Sequence, residues 1–171
     1  MSNQSQGDFT AKQKKVLISE EQDGMMIWLG NNEVIRKSAG QVFYNGFEAS
    51  VESVAVLPQV STPGSRLLMQ LFAFDATVKK WGAKICETEL QVSPSDCEQW
   101  LYFSFAHQPL KAGNWYGFKL VCNEGQVAIS EGIHKTTGHD VKSMQWTAAT
   151  VNDTGNFHAD FHLAFLISAA A

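Results

Sequence analysis

The chain has 171 residues, 44% hydrophobic and 18% charged, which excludes a disordered polar chain and suits one packed domain. Thirteen Lys and Arg stand against seventeen Asp and Glu, a net charge of -4, and no stretch concentrates the basic residues as phosphate contacts require, so no nucleic-acid partner is expected. No apolar run approaches the roughly 20 residues that cross a bilayer, so no membrane span is expected either.

The opening "MSNQSQGDFTAKQKK" lacks the apolar core of a signal peptide. It reads as a flexible polar segment over residues 1–14, with at most a helical turn near Lys12, ahead of a single domain over 15–171. The expectation is a soluble chain whose compartment is left open. "VLIS" and "GMMIWLG" read as strands or a cap on the N-terminal side, with Trp28 assigned to packing.

From Gln41 onward, short apolar or alternating runs are separated by turn residues, which is the pattern of strands. "GQVFYNGFEAS" and "VESVAVL" come first, and the turn "STPGS" follows. In "RLLMQLFAFD", Leu67, Met69 and Leu71 alternate with Leu68, Gln70 and Phe72. "AKICETELQV" puts Ile85 and Glu87 on one face and Cys86, Thr88 and Leu90 on the other. Leu101, Phe103 and Phe105 then share a face opposite Trp100, Tyr102 and Ser104. "HQPLKAGN" reverses the chain, and Tyr116, Phe118, Leu120 and Cys122 form the next apolar face, with Trp115 directed away from it.

The segment "EGIHKTTGHDVKSMQWTAATVNDTGN" reads as one long turn-rich connection carrying Trp146. A single closing strand is expected to put Phe157, Ala159, Phe161, Leu163, Phe165 and Ile167 on one face. The fold class expected is all-β, a two-sheet antiparallel β-sandwich of jelly-roll type, with Phe103, Phe105, Phe118, Leu120, Phe161, Leu163 and Phe165 in one core.

Gln41 and Phe43 form a Q-x-F opening, and Trp100, Phe103 and Phe105 form a W-x-x-F-x-F strand. Leu110, Gly113, Tyr116, Phe118 and Leu120 form an L-x-x-G-x-x-Y-x-F-x-L return. Over about Gln41 to Ile167, this order resembles the jelly-roll accessory modules, galactose-binding-like in architecture, that stand beside carbohydrate-processing enzymes. The matching positions are core and turn positions. The resemblance implies a sandwich that binds sugars or other polymers.

Cys86, Cys97 and Cys122 are odd in number and lack C-x-x-C spacing, so they read as core thiols rather than a disulfide framework or a zinc knuckle. "HADFH" raises metal binding through His158, Asp160 and His162. On one extended strand, however, the two histidines stand about 13 Å apart, too far for one ion held at about 2 Å. A metal would then need a remote ligand such as His134, His139 or Asp140, and the expectation is no metal and no cofactor. Glu87, Glu89, Asp96 and Glu98 are available carboxylates, but no nucleophile motif, nucleotide loop or fixed acid pair accompanies them, so no enzyme activity is expected.

Exposed aromatic faces are the stronger lead, because sugar rings stack on flat indoles and are oriented by a few polar groups. Trp81, Trp115 and Trp146, with the polar neighbours His139, Asp140 and Asn156, are the residues this logic selects as a ligand site. The expected function is a non-catalytic carbohydrate-binding module whose partner is an oligo- or polysaccharide. The alternative is an interaction jelly roll that assembles through a sheet face into a homo-oligomer, to which the apolar tail "FLISAAA" and the low charge are suited.

Overall fold

The structure is a computed structural model and describes residues 14–20, 24–32, 34–133, 142–150 and 152–170. Among these residues the chain forms fourteen strands and one short 3-10 turn at Pro94–Asp96. In chain order the strands begin with β1 (Lys14–Glu20), β2 (Met25–Asn31), β3 (Arg36–Asn45), β4 (Ala49–Val56), β5 (Pro58–Ser61), β6 (Ser65–Asp75) and β7 (Lys80–Val92). They continue with β8 (Leu101–Leu110), β9 (Asn114–Glu124), β10 (Gln126–Ile133), β11 (Ser143–Ala148), β12 (Asn156–His158), β13 (Phe161–Leu163) and β14 (Phe165–Ala170).

Two antiparallel sheets result. The smaller runs β1-β14-β4-β8, and the larger runs β13-β10-β2-β3-β9-β6-β7, with β11 and β12 branching from β3 and β5 from β10. The pairs β1/β14, β3/β9, β4/β8 and β6/β7 nest inside one another along the chain. That nesting is the jelly-roll connection, in which a long hairpin is rolled so that its two halves pack face to face.

Alternation explains which side of each strand enters the core. Along β6, Leu67, Met69 and Leu71 are buried while Arg66, Leu68 and Gln70 are half-buried on the other face. Their counterparts across the sandwich include Val54, Phe103, Phe165 and Ile167, and Phe165 lies 5.6 Å from Phe118 and 6.2 Å from Phe43 between ring centroids. The turns are set by equally local chemistry. Asp75 Oδ1 accepts the Thr77 amide at 2.9 Å and closes the β6–β7 turn. Gly125 takes φ 72° between β9 and β10, where a side chain would also strike Ser65.

Several sequence expectations are corrected. The closing run is three elements, not one strand, because Ala159–Asp160 turns the chain and Ala164 interrupts it. Phe157 therefore packs on the far face of the larger sheet and Phe161 is 37% exposed, while Leu163 and Phe165 do enter the core. Phe105 is half-buried against the core rather than inside it. In β7, Ile85 and Cys86 both reach toward the core because the register with β6 shifts between Leu71 and Phe72. The segment expected as one long connection contains a strand, β11, paired along β3 from Ser143↔Phe43 to Ala148↔Ser38. Residues 1–13, including Lys12, and His134, His139 and Asp140 lie outside the described residues.

Candidate ligand-binding cleft

Two strands share one edge of β3, and this creates a cleft. The beginning of β3 pairs with β2 through Lys37↔Gly30 and Arg36↔Asn31, whereas its remainder, from Ser38 on, pairs with β11. Beyond that fork, β2 and its neighbour β10 diverge from β11, and the wedge between them is an open cleft of about 580 Å³, within the size range of small-ligand sites.

One wall is aromatic and apolar. Ile27 and Leu29 point inward from β2, so Met26 and Trp28 point outward by strand alternation. Trp28 is 36% exposed and lines the cleft, with Phe161 of β13 also lining it. Trp28, expected to pack, thus does more than pack, because the part of it that stays exposed lines the cleft. The alternation of "MIWL" already carried that signal.

The other wall is polar. Gln145 of β11 donates from Nε2 to Glu131 Oε2 of β10 at 2.7 Å, which ties the two sides of the wedge together. Thr147 Oγ1 and His158 Nε2 are hydrogen-bonded at 2.9 Å, and the His158 ring stands edge-on to Phe161 with centroids 6.3 Å apart. Lys37 lines the rim. The cleft therefore combines an indole face with a carboxylate, an amide, a hydroxyl, an imidazole and an ammonium.

The sequence-selected tryptophans are brought together elsewhere, on the outer face of the larger sheet, and with one another. Trp146 is fully buried, which corrects the expectation of an exposed loop indole. Its Nε1 donates to Thr154 O at 3.0 Å, and Gly155, at φ 65°, lets the chain lie against the ring. Trp81 meets Trp146 edge-on at 5.6 Å between centroids and is half-buried in a cluster with Phe74, Met144 and Phe157. Trp115 does face away from the main core, as its position in the alternation predicts, but packs on Phe74 and Tyr44. Asn156 is exposed on β12, opposite Thr147.

Lys119 sits inside this second cluster. Its Nζ lies 4.6 Å from the Trp146 ring centroid, 4.8 Å from that of Trp81 and 5.2 Å from that of Phe72, cation–π distances in each case. Burial pushes the ammonium's pKa below the ordinary lysine value. With these rings occupied by one another and by Lys119, the cluster is a filled second core.

The chemistry weighed from sequence is also distributed. His158 bonds to Thr147, while His162 is buried with Nδ1 against Leu163 O and Nε2 3.8 Å from Glu20. No group of three or more metal-ligating side chains occurs among the described residues. Hydrogen bonds from Gln70 and then Lys84 hold Glu87 below the usual carboxylate range, and those from Asn123 and then Arg66 do the same for Glu89. Asp96 is held down by accepting from the Ser93 backbone and hydroxyl. The three cysteines are unpaired, and burial pushes the Cys122 thiol up to about 11.

No protein-family model matches the chain, and no curated protein matches it. Function therefore has to be read from the cleft. No helix among the described residues is long and apolar enough to cross a membrane.

Proposed function

We propose that the protein is a non-catalytic β-sandwich binding module that takes a carbohydrate in the cleft between the β13-β10-β2 side and the β11-β12 side. The observation that carries this reading is the exposed Trp28 indole set beside Glu131, Gln145, Thr147 and His158. A pyranose has one relatively apolar CH face and a rim of hydroxyls, so it is matched by a flat ring flanked by acceptors and donors. The jelly-roll architecture is compatible with this reading but does not carry it, since a fold hosts many functions.

The test is a glycan array probed with the full chain, followed by titration of the strongest binder against Trp28→Ala. The expected result is saccharide binding that falls at least about tenfold in Trp28→Ala, with a loss of stability smaller than that of Trp146→Ala because Trp28 is 36% exposed and Trp146 fully buried. A screen without binders by folded wild-type protein overturns the reading. If that protein also has a multimeric mass in light scattering, the homo-oligomer alternative replaces it.

A further inference from the structure

The strands on either side of β10 each carry an exposed aromatic ring into the cleft, and β10 itself carries Glu131 there. In register, Glu131 stands opposite Met25 of β2 and Leu163 of β13, so a paired strand on each side fixes its place. Phe161 is its diagonal neighbour on β13, a spacing that a long side chain and an aromatic ring can bridge. Trp28 lines the same cleft from β2. Trp28 is 36% and Phe161 37% exposed, so both keep accessible surface.

The charge of Glu131 is not matched within the protein. Its side chain lines the cleft and is half-buried, and Oε2 accepts from Gln145 Nε2 at 2.7 Å, a neutral amide. The ion pairs among the described residues join Arg66 to Glu89, Lys84 to Glu87, His107 to Glu52 and His162 to Glu20, and none includes Glu131. Two other ionisable groups line the cleft. Lys37 is exposed at the rim, where water and salt screen its ammonium, and His158 Nε2 is engaged with the Thr147 hydroxyl. A half-buried carboxylate is screened less than an exposed ammonium, so it dominates the attraction felt by a bound ligand.

A carboxylate beside exposed aromatic rings is the chemistry that holds an ammonium, since the carboxylate meets its charge and the ring faces attract the cation. A neutral hydroxyl answers the carboxylate's hydrogen bonding but not its charge. We propose that the cleft selects a cationic saccharide, a hexosamine with a free amine, and that Glu131 is the specificity-determining residue that receives the ammonium. This rests on the carbohydrate reading and narrows it from glycans in general to amino sugars. Gln145 positions the carboxylate by holding Oε2, which leaves Oε1 for the ligand.

The experiment measures binding of 1,4-linked tetramers of glucosamine and of galactosamine, each beside its N-acetylated counterpart, by tryptophan fluorescence and calorimetry. For at least one pair, wild type is expected to bind the free amine at least about tenfold more tightly, a preference that shrinks as salt is raised. In Glu131→Gln, which keeps the shape of the side chain, the preference should fall below about threefold, and in Glu131→Asp, which keeps the charge, it should persist. Should the glutamine variant lose its folded fluorescence, the wild-type preference and its dependence on Trp28 decide the matter. A preference that survives intact in Glu131→Gln or in Trp28→Ala is attraction to the protein's overall charge of -4 and overturns the assignment. Trp28-dependent binding of glycans with no preference for the free amine overturns it too, and leaves the carbohydrate reading standing. Absence of binding by every tetramer, and by every array glycan, overturns both.

Discussion

The indole of Trp81 rests on the bare backbone of Gly117: a Cβ built at Gly117 would stand 2.7 Å from Trp81 Cζ3, with Val42 Cγ1 at 2.8 Å and the Gln41 carbonyl at 2.9 Å. Gly117 is flanked in register by Val42 on β3 and Phe72 on β6, so it forms the floor of the outer cluster. Gly117→Ala is expected to cost about 1–3 kcal/mol, the usual range for overpacking. Urea denaturation measures it, and an unchanged midpoint would show that the indole does not lie on this strand.

Trp146 belongs to the same cluster, and burial reverses the effect expected of it as a loop residue. Truncation to Ala removes a fully buried indole and its hydrogen bond to Thr154 O, so the loss of stability should be about 3–5 kcal/mol. Chemical denaturation of Trp146→Ala beside Trp28→Ala checks this directly. The two variants should fall far apart, and equal midpoints would contradict the assignment of one indole to packing and the other to the cleft.

The main core can be tested by phenylalanines that the sequence groups together. Phe118 is fully buried against Phe165, whereas Phe161 is 37% exposed at the cleft. Phe118→Ala should lose about 3–5 kcal/mol, and Phe161→Ala clearly less in the same urea titration. Comparable losses would restore the single closing strand.

The Lys119 ammonium makes stability depend on pH with a definite sign. Desolvation lowers its folded pKa below the ordinary 10.5. Between the two values the unfolded chain binds more protons than the native one, so stability contributed by this site rises with pH across that window and is lost as pH falls through the folded value. Relative to Lys119→Met, wild type should therefore become more stable as pH is raised from neutral toward about 10.5. Urea midpoints of both proteins at stepped pH give the difference; a flat or falling difference would mean that the amine is not desolvated by its three rings.

The two-sheet core was legible in strand alternation because each half-buried strand must segregate its side chains by parity. Leu67, Met69 and Leu71, and likewise Tyr116, Phe118, Leu120 and Cys122, declared their buried faces without reference to any other strand. The same parity turned Trp28 outward between Ile27 and Leu29. The aromatics that mislead are those in irregular sequence. Around Trp146 and Phe157 the Gly, Thr and Asn content resembles a loop, although β11 and β12 pair there.

What the sequence determined by itself is the class of fold and the inner face of most strands, since parity is a local property of an extended backbone. Only the tertiary structure decided which outward faces are covered and which are open. Trp81 and Trp146 face away from the core yet are enclosed, because β11 and β12 add to β3 and bring Lys119, Phe74 and Phe157 around them. Trp28 faces away from the core and remains open, because β2 leaves β3 after a two-residue pairing and makes room for β11. The cleft is the consequence of that fork, a register relation between strands more than a hundred residues apart, and no local pattern encodes the pairing of β11 with β3 that produces it.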